Sequence, residues 1–394
     1  MLTTLGPFSI DMYLPGFPSI ATYLHTTTAA VSLSLSSFFI GISGGQLLYG
    51  PLLDRFGRKK PLYVGLTIYI LTSFACVFVK TLDALIILRF VQAIGSCAAA
   101  VASVAIVRDL FPVKDNARVF ELLMLVVGVS PMIAPAVGGY VTAAFGLQSV
   151  FLILAAIVFI ILIVVIVGLP ESYAPDLTFS LKPKSILRNF VSVIIEPQFY
   201  TYAISSAFAF SGLFADVAAS PLVFMDVYKI DGKTYGWIFA LLSVGFIGSS
   251  QVNSALFKKY KSHEIIPLAL LSQVIIAVLF YIGASLNYLN LYATIGFIFL
   301  FLCCVDLTNP NAAALSLAPF SRNAGTASSL MGAMQLRIGA LASVAVGMFT
   351  ANSALPIAAI MAIKSILALL VLFWGHKNIG KLSSATLASS PLIH

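Results

Sequence analysis

The chain has 394 residues, of which 60% are hydrophobic and only 9% charged, with a mean hydropathy of +1.03. A water-soluble domain carries about a quarter of its residues as Asp, Glu, Lys and Arg, so water is excluded as the solvent for most of this surface. The formal charge of +8 would suggest nucleic acid in a soluble protein; in so apolar a chain it implies basic loops on the cytoplasmic side of a membrane.

A helix crossing ~30 Å of hydrocarbon at ~1.5 Å per residue needs about 20 apolar residues. Twelve stretches qualify: 2–23, 31–53, 61–79, 84–106, 119–143, 148–169, 199–224, 234–256, 264–284, 290–315, 325–350 and 354–374. Residues 149–169, SVFLILAAIVFIILIVVIVGL, are apolar on every side, which excludes the alternating pattern of a transmembrane barrel. The expected fold class is therefore an all-α membrane protein with twelve spans.

The first stretch contains Pro7, Pro15 and Pro18, and Asp11 lies about 14 Å from its start, near the midplane. A charge there costs ~2.5–3.5 kcal/mol. Asp11 is thus either a carboxyl group that takes up and gives back a proton, or a structural group at a helix break by Pro15. Met12 and Tyr13 are its candidate cavity neighbours. Between the second and third stretches lies GPLLDRFGRKKPL, residues 50–62, with Arg55, Arg58, Lys59, Lys60 and Asp54 within seven positions. Gly50 and Gly57 allow close helix approach and a tight turn, and the bases anchor the loop to the inner face.

In the fourth stretch Arg89 and Gln92 share a helix face; Arg89 can hydrogen-bond backbone carbonyls of the first stretch. The fifth carries Gly128, Pro131, Pro135, Gly138 and Gly139. Its prolines kink the helix and its glycines let a neighbour pack closely. Residues 170–198, PESYAPDLTFSLKPKSILRNFVSVIIEPQ, form the longest polar stretch, a linker between six spans and six. In the second half Asp216 falls nearer the outer end of its span. Asp306 and Arg337 are each roughly 20 Å along their helices, so they can share a layer and bind substrate, carry a second proton or neutralise each other. Lys364, in the last span, is expected to snorkel.

With both termini in the cytoplasm, the inner segments hold 16 of the 22 Lys and Arg residues and the outer loops three, a positive-inside bias that agrees with the span count. The domains follow: 1–169, a first six-helix bundle; 170–198, the linker; 199–374, a second bundle; 375–394, a cytoplasmic tail. Residues 253–268 repeat the short basic turn of the opening half six spans later, as in parallel-repeat transporters. Cys76, Cys97, Cys303 and Cys304 lie within apolar stretches without metal-site spacing, and His25, His263, His376 and His394 lack ligand spacing too. With no Walker loop and no nucleophile constellation, neither enzyme activity, a metal nor an organic cofactor is expected, and ATP drive is disfavoured. No cleavable signal peptide is apparent.

GPLLDRFGRKK resembles the loop between spans 2 and 3 of the major facilitator superfamily, with Gly50, Asp54, Arg55, Gly57, Arg58 and Lys59 in register. SIDMYLPGFPSIA (9–21), RFVQAIGS (89–96), VGVSPMIAPAVGGYV (127–141) and NAGTASSLMGA (323–333) narrow the likeness to its bicyclomycin-resistance (Bcr/CflA-type) drug-efflux branch. The chain departs from the pattern at Ala134-Pro135, where the wider antiporter motif has Gly-Pro, and in having almost nothing ahead of span 1. The resemblance implies two six-helix bundles that rock about a central site. It implies that Arg58 reaches Asp109 in a cytoplasmic latch that breaks as the halves part. It makes Asp11 the seat of a coupling proton or cationic drug, Arg89 a relay paired with it, and the span 5 motif a seal against leak.

The implied function is a proton-driven antiporter exporting small amphipathic compounds across the inner membrane; the alternative is a proton symporter importing a metabolite on the same fold. The expected partners are a small-molecule substrate, protons and lipid, without nucleic acid, and the expected state is a monomer.

Overall fold

The computed structural model describes residues 2–110, 113–146, 148–173, 175, 190–256, 258–320, 324–348 and 353–389. The apolar stretches are helices: α1 (Leu5–Asp11), α2 (Phe17–Tyr23), α3 (Thr28–Phe56), α4 (Lys59–Cys76), α5 (Leu82–Leu110), α6 (Val113–Phe145), α7 (Gln148–Gly168), α8 (Pro197–Pro221), α9 (Gly232–Leu256), α10 (Ser262–Ser285), α11 (Leu291–Leu317), α12 (Ala324–Gly347) and α13 (Leu355–Ser389). Ten helices among the described residues are long and apolar enough to cross a membrane. The other two of the twelve expected stretches are the broken segment 2–23 and α4, which opens on Lys59 and Lys60.

Helix starts follow the capping side chains. Thr27 Oγ1 accepts from Ala30 N at 3.1 Å ahead of α3, and Asn290 Oδ1 accepts from Ala293 N at 2.8 Å ahead of α11. Asp231 does the same for α9, taking bonds from the Thr234 hydroxyl and from the Thr234 and Lys233 amides, which hold its carboxyl below the usual value. The segment after α8 runs on through a π-helical turn, Leu222–Val227, so this span is longer than the sequence indicates. The last helix continues to Ser389, past the expected end at 374. Lys182, Lys184, Arg188 and Arg322, most of the linker, and residues 390–394 lie outside the described residues.

The first stretch breaks where its prolines demand it. Pro15 has no amide proton and fixes its own φ, and α1 ends at Asp11 with a 3-10 turn, Leu14–Gly16, before α2. At the break Tyr13 N–H turns to Ile10 O at 3.3 Å, leaving Ser9 O without the donor that a continuous helix supplies.

In the first half, α5 packs along α3 and α4, and α7 along α4; in the second, α8 packs against α11, α12 and α13. The halves meet along α3 with α12 and α6 with α9. Taking the end that carries Arg58 as the basic end, the halves touch most closely at the opposite, far end. An apolar core there runs unbroken from Tyr13, Leu14 and Phe17 through Phe39 to Phe224, Phe239 and Val346. Buried side chains of both halves thus share one continuous apolar region, whose burial helps hold this end together.

Candidate functional site

A cavity of about 290 Å³ lies between the two halves. The first half lines it with Pro7, Ile10 and Asp11 of α1, Phe39 of α3, and Val127, Gly128 and Pro131 of α6. The second half contributes Phe210, Phe214 and Asp216 of α8, Phe239, Ser243 and Phe246 of α9, and Leu302 of α11. Five phenylalanine rings and two carboxylic acids thus face one space. Pro7 and Ile10 flank Asp11 on the same turn of α1, so the break at Met12 leaves Asp11 as the last helical side chain aimed inward.

Asp11 is 5% exposed and Asp216 1%. Asp216 Oδ1 has no hydrogen-bond partner. Among the described residues no Lys, Arg or His lines the space. Asp216, read as falling nearer the outer end of its span, lies in the outer half of the helix Pro197–Val227 and lines the cavity together with Asp11. Met12 and Tyr13 do not line the cavity. Successive helical residues point about 100° apart, and both side chains turn into the protein: Tyr13 packs on Phe17 and Phe151 and shares a 2.8 Å hydrogen bond with Ser34, while Met12 is fully buried in the first-half core.

Arg89 is fully buried and makes no ion pair with Asp11; among the described residues the ion pairs are those of Arg58. Its Nη2 donates to Ser9 O at 2.9 Å, the carbonyl released by the helix break, and Nη1 donates to Gln92 Oε1 at 2.6 Å. Gln92 Nε2 passes the chain on to Ser73 Oγ at 2.6 Å. The guanidinium lies 4.5 Å from the Tyr13 ring centroid and 4.2 Å from that of Phe38, so ring faces stand where a carboxylate would. Arg89 staples the broken first stretch to α4 and α5.

Asp306 and Arg337 are not paired either. Asp306 accepts from Ser249 Oγ at 2.9 Å, on the face of α11 that carries Leu302 one turn earlier, whereas Arg337 is exposed. Equal rise along two helices gives equal depth but says nothing of the direction in which each side chain points. Lys364 sits with Nζ 5.5 Å from the Phe208 ring centroid.

Small residues close the cavity on its far side. A Cβ at Gly138 would collide with Met12 O; one at Gly139 would lie 2.5 Å from Gly232 O, and one at Gly236 2.8 Å from Ala136 Cα. These positions lie one to two turns beyond the lining residues of α6 and α9. Backbone meets backbone there because nothing larger than hydrogen projects between the helices.

The basic end holds a second constellation. Arg58 Nε donates to Asp109 Oδ2 at 2.7 Å and Nη1 to Asp54 Oδ1 at 2.9 Å. Glu171, the second residue of the linker stretch, accepts from the Arg58 and Lys59 amides at 2.7 and 3.2 Å, capping α4. Ser172 Oγ donates to Asp109 Oδ2 at 3.1 Å, and Tyr173 stacks its ring 4.2 Å from the Arg58 guanidinium. Gly57 has φ +81°, and a Cβ there would be 3.0 Å from the Glu171 carboxylate, so no other residue suits the turn. Arg55 lies beside Phe56 and Lys59 beside Tyr63, and Gly50 faces open space. Sequence reasoning missed Glu171, Ser172 and Tyr173, because nothing local marks a loop residue that reaches back more than a hundred positions. Among the described residues the partners of this cluster lie on α3, on α5 and at the start of the linker stretch, so it braces α3, α4 and α5 at the basic end. Arg58→Ala is expected to lower the melting temperature of the detergent-purified protein by several degrees, each charge-assisted bond being worth about 1.5–3 kcal/mol; an unchanged melting curve counts against the brace.

Comparison with known proteins gives the same frame. Residues 1–344 match the family model described as Major Facilitator Superfamily. A Haemophilus influenzae protein named bicyclomycin resistance protein homolog is 30% identical over 90% of this chain and 89% of its own. A Vibrio parahaemolyticus protein named multidrug resistance protein MdtL is 27% identical over 85% and 84%. Among solved structures, a D-xylose-proton symporter superposes with a TM-score of 0.72 at 14% identity, covering 94% of this chain and 95% of that one; at that identity the likeness is one of fold.

Proposed function

Because the chain belongs to the major facilitator superfamily and is thereby a transporter, we propose that it is a proton-coupled antiporter that exports small amphipathic compounds by alternating access. In this reading the broken segment 2–23 and α4 complete twelve spans in two six-helix bundles. The basic end and both termini face the cytoplasm, in keeping with the positive-inside rule, and the chain works as a monomer in the inner membrane. The proton gradient supplies the drive, with no cofactor. The names of the two relatives, bicyclomycin resistance and multidrug resistance, favour export of drug-like compounds over uptake of a metabolite.

The observation that carries the proposal is Asp11 at the helix break, buried in an aromatic cavity between the halves. A carboxylate costs free energy in such a place unless a positive charge accompanies it, so a proton and a substrate can compete for it. Arg89 holds the break open by occupying Ser9 O, which keeps Asp11 aimed at the cavity. Substrate enters from the basic end while the glycine contacts between α6 and α9 close the far end; rocking of the bundles exchanges the two. In proteoliposomes carrying a pH indicator, substrate addition is expected to drive proton movement in the opposite direction, and Asp11→Asn to abolish that movement at least tenfold while leaving a folded protein. Undiminished coupling in Asp11→Asn removes the carboxyl from the mechanism.

A further inference from the structure

Two acids face the cavity, one from each half: Asp11 on α1 and Asp216 on α8. Asp216 is the less exposed of the two, and its Oδ1 is completely buried without a partner, although a buried oxygen of this kind is ordinarily hydrogen-bonded. The surrounding side chains, Phe210, Phe214, Phe239 and Phe246 among them, offer ring faces and aliphatic carbon. That surface suits an organic cation with an apolar body.

The positive and titratable groups on neighbouring elements are engaged elsewhere or turned away. Arg89 is bonded to Ser9 O and Gln92, Lys364 lies over Phe208, and Arg337 is exposed. Tyr13 and Tyr235 share hydrogen bonds with Ser34 and Ser220, and Asp306 takes one from Ser249. Cys303 donates to Gly245 O. Arg58, Asp54 and Asp109 form their own cluster at the basic end. Among the described residues nothing supplies the two carboxylates with a counter-charge.

We propose that the closed cavity binds two units of positive charge, one at Asp11 and one at Asp216, so that a dicationic amphipathic ligand displaces two protons and a monocationic one displaces a single proton. The inference rests on the export reading of this same cavity and extends it to a substrate class and a proton count. Two like charges in one apolar space repel strongly and neither is solvated. Bringing the halves together around them therefore requires that each carboxyl be either protonated or paired with a ligand cation. Because the two acids ride on different bundles, the requirement bears on closure itself and makes the number of exchanged protons a function of ligand charge.

The test uses the full chain, purified in detergent and weakly buffered. Two probes share one aromatic body, a quaternary ammonium and its bis-quaternary analogue. Ligand bound and protons released are measured together by calorimetry and a pH indicator across about pH 5 to 8. For the unaltered protein the maximum release is expected to be two protons per bis-cation and one per monocation. Asp216→Asn, which keeps the side-chain volume, should release one proton with either probe, with the preference for the bis-cation lost. Asp216→Glu should restore the second proton, and Asp11→Asn, Asp216→Asn together should release none. Melting curves for each variant confirm that folded protein is being compared. Release of one proton by both probes from the unaltered protein, or of two from Asp216→Asn, overturns the inference and leaves the role of Asp11 standing. Binding of neither probe, or binding without proton release, overturns both.

Discussion

Arg89→Ala is expected to deplete folded protein more than any other single change at a buried polar position, with a melting temperature in detergent at least 10 degrees below that of the unaltered chain. The expectation follows from what the side chain does. It satisfies Ser9 O, a carbonyl released by the helix break, and fills the space between the Tyr13 and Phe38 rings. Leaving a buried acceptor without its donor costs about 1–3 kcal/mol, and a large-to-small change in a packed core about 2–5 kcal/mol. In the other direction, removing a fully buried charge relieves desolvation. The relief is reduced here because two ring faces and two oxygen acceptors already accommodate the charge. Arg89→Lys separates the contributions: an ammonium keeps the charge but cannot bridge Ser9 O and Gln92 Oε1 while lying flat between two rings, so its melting temperature should fall between the two. A stability for Arg89→Ala within about two degrees of the unaltered chain would show that the staple is dispensable.

Gly236→Ala is the second large effect, and it acts on the equilibrium between access states. A methyl group there would lie 2.8 Å from Ala136 Cα and 2.9 Å from Pro135 O, which are backbone atoms with no rotamer to escape into. Overpacking of this kind costs typically 1–3 kcal/mol, which corresponds to roughly a fivefold to hundredfold shift between two states. The strain exists only while α6 and α9 are in contact at the far end, so the shift favours the state that is open there. A single cysteine at Ser243, in a chain whose native cysteines are replaced by serine, reports it. Its labelling by an impermeant thiol reagent from the far side is expected to rise about tenfold or more in Gly236→Ala. Equal labelling means that the helices slip past the added methyl group, and that the close contact is not what holds the far end shut.

Much of this arrangement was legible because membrane burial penalises charge so heavily. Asp11 and Arg89 stand out in the sequence as charges within the membrane and the Arg58 cluster as a dense basic loop, and in the structure Asp11 lines the cavity while Arg89 and Arg58 each centre a hydrogen-bonded cluster. The Arg58–Asp109 contact was implied by resemblance, and it is made at 2.7 Å. What sequence position could not convey was direction. Met12 and Tyr13 adjoin Asp11 along the chain yet point into the protein, because one residue turns a helix by about 100°. Asp306 and Arg337 match in depth and differ in the side they face. The π-helical turn at Leu222–Val227, which lengthens the span that carries Asp216, is announced by no local pattern. The phenylalanines that line the cavity look the same in sequence as those packed against lipid or neighbouring helices, since all occur in uniformly apolar runs.

The distribution of fastenings has a consequence for how the molecule responds to its ionic surroundings. Among the described residues the ion pairs of Arg58 lie inside the first bundle, whereas these contacts across the seam are uncharged: the Ser36 and Ser343 hydroxyls 2.6 Å apart, Ser43 Oγ on Ala333 O at 3.2 Å, and glycine against backbone. Such contacts are short in range and indifferent to electrolyte. Parting these contacts thus breaks no salt link, and their hold on the seam is a matter of fit.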